Sequence, residues 1–233
     1  MTAEDRRADI AAGLQRVRER VAVAADAAGR AAGELTLVVV TKTFPATDVA
    51  HLAALGVRDV GENRDQEAAA KADACAGLDL VWHFVGRLQG NKARSVARYA
   101  QVVHSVDRTR LAEALGAGAR AAQREVTALV QVSLDGDPRR GGAPAEDLPA
   151  LAAAIAGTEG LRLGGVMAVP AVGADARAAY DRLVELSSVL CKDHPDATIV
   201  SAGMSGDLEA AVAAGATHLR VGVAVLGSRP PLQ

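Results

Sequence analysis

The chain has 233 residues, about one and a half times the ~150 of a usual domain, and half of them are hydrophobic while only 2% are aromatic, which excludes a disordered chain. With 26 Lys plus Arg against 28 Asp plus Glu the formal net charge is −2, which excludes a general basic field for nucleic acid or an anionic membrane, so any anion is bound locally. Cys75 and Cys191 stand far apart and outside any CxxC or Cys/His spacing, which argues against a disulfide scaffold or a zinc site and fits a reducing cytoplasm.

The opening MTAEDRRADIAAGLQRVRERV carries charges where a signal peptide has an apolar run, and no later stretch approaches the ~20 uncharged apolar residues of a membrane span. A soluble, unprocessed protein is expected. Thr2 with Asp5 three residues on resembles a capping box, and Ile10, Leu14, Val17 and Val21 then form one stripe of an amphipathic helix. After Gly33 the pattern changes to short apolar runs, each followed by a loop and a segment of helical period. The predicted strands run from Leu35 to Lys42, Val57 to Glu62, Leu80 to Val85, Val102 to Val106, Val126 to Ser133, Leu163 to Val169, Thr198 to Ala202 and Leu219 to Val225. Between them helices are predicted from Thr47 to Leu55, Arg64 to Ala76, Asn91 to Ala100, Asp107 to Ala122, Ala145 to Ala156, Asp175 to His194 and Asp207 to Ala214. Thr47, Asn63, Asp107 and Ser205 are the expected N-caps, and Gly56, Gly157 and Gly215 the expected stops.

Strict βα alternation with near-continuous apolar strands points to an all-parallel sheet, and eight such units point to an α/β fold, a single (β/α)8 TIM barrel. An open doubly wound sheet would carry a glycine fingerprint after the first strand, where this chain has TKTFPATD. After the last strand only LGSRPPLQ remains, and its paired prolines disfavour a full eighth helix. The additional N-terminal helix is expected to cover that flank. No linker divides the chain, so residues 1–233 are read as one domain.

In such a barrel the site lies at the C-terminal ends of the strands. Alternation puts Val38, Val40 and Lys42 on one face, and if that face is the interior, Lys42 reaches the barrel mouth. A partly desolvated lysine there suits Schiff-base chemistry, and a lysine snorkelling to solvent is the plain alternative. Arg220 interrupts the apolar eighth strand and requires an acceptor, an ordinary buried salt bridge being the simplest. Gly222 permits close approach of a ligand to backbone. In SAGMSGDLEAA a hydroxyl and free amides at a helix start form a phosphate-type cradle, which a simple Ser205 cap explains equally well. An amine, an arginine and a phosphate cradle together are how proteins hold pyridoxal phosphate.

The motifs VVVTKTFP, VGENRDQE, WHFVGRLQGNK, HSVDR, GGVMAVP, SAGMSGDLEAA and LRVGVAVLGSR occur in the order found in one family. By them the chain resembles, over nearly its whole length, the pyridoxal phosphate homeostasis protein family (YggS/PROSC), whose fold is like the N-terminal domain of alanine racemase. The resemblance implies that pyridoxal 5′-phosphate is held on Lys42 as an internal aldimine, with Arg220 at the pyridine nitrogen. It also implies that Ser205 and the Gly222 and Val223 backbone hold the phosphate, and that Asn63 lines the ring. The family commonly has threonine where this chain has Val223, which leaves backbone donation alone at that point. Arg64 replaces a tyrosine of some members and Arg87 a frequent proline, and neither loop change has an interpretation from sequence. Arg139 and Arg140 stand where the family often has a lysine, and a solvated charged loop is expected.

His83 is weighed equally between lining the site and sitting satisfied in the barrel wall, and His51, His104, His194 and His218 show no partner spacing and receive no role. Racemases of this fold use a tyrosine from an additional β domain, whereas Tyr99 and Tyr180 fall within helices here. The expected function is therefore intracellular buffering and delivery of the cofactor by a monomeric, non-catalytic binder with no metal, nucleic acid or membrane partner, PLP-dependent apoenzymes being the acceptors. A monodomain amino-acid racemase and a Schiff-base aldolase are the alternatives.

Overall fold

The computed structural model describes residues 2–137 and 140–228. Eight strands close into one all-parallel barrel in sequential order: β1 (Thr36–Val40), β2 (Asp59–Glu62), β3 (Val81–Phe84), β4 (Val102–Val106), β5 (Val126–Gln131), β6 (Leu161–Met167), β7 (Ile199–Ser201) and β8 (His218–Val221). The barrel closes by pairing β1 with β8, Val38 opposite Arg220 and Val39 opposite Val221. The predicted TIM barrel is thus the observed architecture.

Around the wall lie α1 (Ala3–Ala27), α2 (Ala46–Ala54), α3 (Asp65–Ala74), α4 (Ala93–Tyr99), α5 (Thr109–Ala121), α6 (Leu148–Ala156), α7 (Ala176–Asp193), α8 (Leu208–Ala214) and α9 (Val223–Leu226). The Thr2–Asp5 capping box forms in both directions, and Ile10, Leu14, Val17 and Val21 are buried along α1. This helix packs on α9, α8 and α2. Gly13 allows that approach, because a Cβ there would stand 2.2 Å from the Val225 carbonyl oxygen.

Helix starts differ from expectation by one or two residues. The observed N-caps are Pro45, Arg64, Arg108 and Asp207 rather than Thr47, Asn63, Asp107 and Ser205. For two of them the side chain has a partner elsewhere: Asp107 pairs with Arg108, and the Ser205 hydroxyl accepts from the Ala224 amide at 3.4 Å. The eighth strand is shorter than expected. It stops at Val221, and the chain turns at Gly222 into the single helical turn of α9, so Val223 to Val225 are helical rather than extended.

The main core lies between wall and helices, with Val39, Val60, Trp82, Phe84, Leu219 and Val221 facing outward into it. Each such side chain, once fully buried, stabilises by roughly 1.5–3 kcal/mol. Inside the barrel Val102, Leu129 and Met167 form a smaller apolar layer, Val38 and Val40 are buried on the inner face of β1, and Asp59, His83, His104, Ser201 and Arg220 supply polar side chains among them.

Candidate functional site

Lys42, Asn63, Ser205, Arg220, Gly222 and Val223 all line one cavity of about 420 Å³ at the C-terminal mouth of the barrel. That size suits a small ligand. A larger cleft of about 1090 Å³ opens beside it, bordered by Arg64, Arg87, Lys92 and Arg108, and shares only Asn63 with the first. The smaller cavity is the one on the barrel axis.

Lys42 is half-buried just beyond β1, in a loop held from beneath. Lys71, buried on α3, donates to the Thr41 carbonyl at 2.8 Å, to Glu62 at 2.7 Å and to Glu67 at 2.6 Å. Glu67 in turn accepts the Thr43 amide, and Thr43 has φ of 70°, a left-handed conformation that a β-branched residue adopts only under constraint. The residues on both sides of Lys42 are thereby pinned. Burial pushes the Glu62 carboxyl up, and the Lys71 ammonium opposes that shift.

Arg220 lies inside the barrel and 5% exposed, yet among the described residues it makes no ion pair. Its guanidinium donates instead to Ser201 Oγ at 2.5 Å and to the Ala168 carbonyl at 2.9 Å. The simple buried salt bridge is therefore replaced by neutral acceptors. Burial pulls its pKa down to about 10, against the opposing pull of Tyr180 and Asp207, so it remains cationic at neutral pH.

The cradle is assembled by contacts across strands. Asp207 accepts the Met204 amide at 2.6 Å and the Tyr180 hydroxyl at 2.9 Å, which shapes the loop carrying Ser205. The Ser205 hydroxyl meets the first turn of α9, where the amides of Gly222 and Val223 have no partner within their own helix. A side chain at Gly222 would put its Cβ 3.0 Å from the Val40 carbonyl oxygen, a tight contact where β1 and β8 close. Asn63 follows β2, and its Oδ1 is buried without a hydrogen-bond partner.

Some expectations about loops change. Arg140 is not solvated: it pairs with Asp135 and donates to the carbonyls of Val169 and Pro170, tying the loop after β5 to the loop after β6. Arg139 lies outside the described residues. Cys75 and Cys191 are free thiols. Among the described residues no group of His, Cys, Asp and Glu is arranged to hold a metal ion.

The histidines hold the main surprise. His83 and His104 are buried and bonded to each other inside the barrel at 2.9 Å, and His218 lies beside them. Nothing in linear spacing pointed to His104, although strand parity places it on the inner face. Burial, then His83, Arg220 and His218, drive the His104 pKa well below the usual imidazole value, and burial with His83 lowers that of His218 to about 4. The fold therefore prefers both rings neutral. The stabilising contribution of each is complete above the unfolded-state value near 6.5, and that of His218 is lost as pH falls toward 4. For His218 this amounts to on the order of 3 kcal/mol. Thermal unfolding across this range should show His218→Asn with a flatter acid slope than the wild type; an unchanged slope would refute the assignment.

Residues 13–230 match the family model described as alanine racemase, N-terminal domain. The pyridoxal phosphate homeostasis protein of Mycobacterium tuberculosis is 45% identical over 97% of this chain and 95% of its own length. Among solved structures, an unknown protein from Bifidobacterium adolescentis matches with a TM-score of 0.90 and 30% identity over 97% of both chains. PipY of Synechococcus elongatus with PLP bound matches with a TM-score of 0.82 and 32% identity, over 94% of this chain and 100% of PipY.

Proposed function

This chain belongs to the pyridoxal phosphate homeostasis protein family, built on the alanine racemase N-terminal domain, and we propose that its barrel-mouth cavity holds pyridoxal 5′-phosphate for buffering and delivery. The observation that carries this reading is the convergence of one amine, one guanidinium and one hydroxyl-and-amide cradle on a cavity of about 420 Å³.

The residues present fit the group. Asn63 Oδ1 is a buried acceptor with no protein partner, and the Gly222 turn leaves room that a side chain would fill. When bound, pyridoxal phosphate supplies an aldehyde that condenses reversibly with a primary amine, together with a ring that withdraws electrons from the resulting bond. Lys42 offers the amine from a loop pinned on both sides. Ser205 and the amides of Gly222 and Val223 offer donors to a phosphate. Arg220 can only donate, so a ring nitrogen held against it would keep its lone pair. An unprotonated ring is a poorer electron sink, which favours holding over turnover.

The tyrosines support the same conclusion about catalysis. Racemisation needs an acid and a base on opposite faces of the substrate carbon. Tyr180 is committed to Asp207, and burial raises the pKa of both Tyr180 and Tyr99, which leaves them poor bases at neutral pH. We infer a non-catalytic carrier that works as a monomer and in the cytoplasm, where its free thiols persist. Exposed Val169, Met204 and Val223 border the mouth and fit brief contact with PLP-dependent apoenzymes as acceptors.

Purified protein given pyridoxal phosphate should acquire a visible absorbance that borohydride shifts, and mass spectrometry should locate the reduced pyridoxyl group on Lys42. Protein that stays colourless and unlabelled overturns the reading. Inversion of an amino acid, or solvent deuterium exchange at its Cα at enzymatic rates, would favour a racemase, and retro-aldol cleavage without cofactor an aldolase.

A further inference from the structure

Beneath the cavity five polar side chains occupy the inner face of five different strands: Asp59 on β2, His83 on β3, His104 on β4, Ser201 on β7 and Arg220 on β8. They make one unbroken chain. Arg220 Nη1 is 2.5 Å from Ser201 Oγ, which is 2.8 Å from His104 Nδ1. His104 Nε2 is 2.9 Å from His83 Nδ1, and His83 Nε2 is 2.9 Å from Asp59 Oδ1. Because β4 and β7 are not neighbours in the wall, the contact between His104 and Ser201 crosses the barrel interior.

The two ends dictate the direction of every bond between them. A guanidinium only donates and a carboxylate only accepts. Arg220 donates to Ser201, which leaves the serine proton to go to His104 Nδ1. His104 then carries its proton on Nε2 and donates to His83 Nδ1, and His83 carries its proton on Nε2 and donates to Asp59. With neutral rings each atom has one role and none is left over. The reverse order would make Ser201 Oγ accept twice and leave its proton with no acceptor among the described residues. His104 fits the neutral role, since burial and its cationic and imidazole neighbours hold its pKa far below the ordinary value. His218, whose Nδ1 contacts the Thr217 hydroxyl at 2.9 Å, stands beside this chain rather than in it.

We propose that Ser201, His104, His83 and Asp59 are positioning residues for Arg220: a one-way relay of hydrogen bonds that aims its guanidinium at the cavity and ends on a carboxylate at the opposite end of the barrel. Asp59 opens β2 at the N-terminal end, and its side chain is 28% exposed, so the relay ends at the edge of solvent, while Asp207, whose charge acts on Arg220, does so without an ion pair to it. A carboxylate in direct contact would compete with the ligand for the same donors. Four aligned hydrogen bonds polarise one another and satisfy the buried cation while its outward face stays available. The consequence for cofactor binding rests on the proposed function; the relay itself does not.

Nitrogen-15 NMR of the cofactor-free wild-type protein near neutral pH reads the relay directly. The expected result is a single tautomer for both His83 and His104, protonated on Nε2 and bare on Nδ1. A proton on His104 Nδ1, or a doubly protonated His104, overturns the proposal. Next, Ser201→Ala should weaken binding of pyridoxal phosphate by roughly tenfold while the borohydride-fixed adduct still forms on Lys42, and Ser201→Thr, which keeps the hydroxyl, should restore it. Asp59→Leu, at a partly exposed position, should disturb the tautomers of both histidines and weaken binding to a similar degree. Wild-type affinity and wild-type histidine signals in both Ser201→Ala and Asp59→Leu would overturn the relay. If the tautomers are as expected but the wild type binds no pyridoxal phosphate, the functional reading falls and the relay stands.

Discussion

Lys42→Ala is expected to remove the visible absorbance of the cofactor-loaded protein altogether and to lower its affinity for pyridoxal phosphate by on the order of 100-fold, about 3 kcal/mol, through loss of a pre-positioned amine. The expectation is sharp because the chain has only four lysines. Lys71 is buried and bonded to Thr41, Glu62 and Glu67, Lys92 sits 3.8 Å from Asp65 in the adjoining cleft, and Lys192 lies in the last turn of α7. None of these three lines the cavity. Lys42→Arg separates charge from covalent capture: arginine keeps the positive charge but offers no nucleophilic amine, so its spectrum should match that of alanine. Spectrophotometric titration of the three proteins checks this. Retention of the wild-type band in either variant would move the covalent site elsewhere.

Gly165→Ala is expected to cost more than about 4 kcal/mol, a large fraction of the ~5–15 kcal/mol that separates native from unfolded states, and so to leave little folded protein. Gly165 has φ of 143°, where a side chain is strained in any case. A Cβ there would stand 2.0 Å from the Ile199 carbonyl oxygen and 2.8 Å from two further backbone atoms of the same residue. Side chains repack, but the backbone of β7 can retreat only by breaking its pairing with β6, in which Gly165 stands opposite Ile199. The register between β5 and β6 slips at this point, Ala128 facing Leu163 and Leu129 facing Gly165, so Gly164 is the extra residue of a bulge. Urea unfolding followed by far-ultraviolet circular dichroism measures the loss. Gly77→Ala, which meets nothing within 4 Å, is the control expected to stay within about 0.5 kcal/mol of wild type. A Gly165→Ala protein as stable as that control would mean that the β6–β7 seam is looser than its geometry indicates.

Much of this architecture is legible without coordinates. The alternation Val38–Val40 against Val39–Thr41 separates the inner from the outer face of β1, because successive side chains of a strand must point to opposite sides. The same parity puts Arg220 inside the barrel and Leu219 and Val221 outside, as observed. Helix ends were less legible, since a polar residue beside a helix start signals a cap only if no other partner takes it. The hydroxyl of Ser205 lies against α9 instead, and the hydrogen bond that joins them depends on where β7 and β8 end. The termination of β8 is a similar case. Val221, Val223 and Val225 alternate as a strand would, yet Gly222 lets the chain turn, and α1 packs on the helical turn that follows.

By itself the sequence determined the order of strands and helices, the closed barrel they form, and the short set of polar residues at strand ends, because these follow from periodicity and from the order of elements along the chain. Only the tertiary structure decided what Arg220 is bonded to. Closing the barrel brings His104 and Ser201, 97 positions apart, to 2.8 Å, and no local pattern carries that distance. The buried cation had to find acceptors among whatever side chains closure placed beside it, and here they lead, one hydrogen bond at a time, to Asp59 at the far end of the barrel.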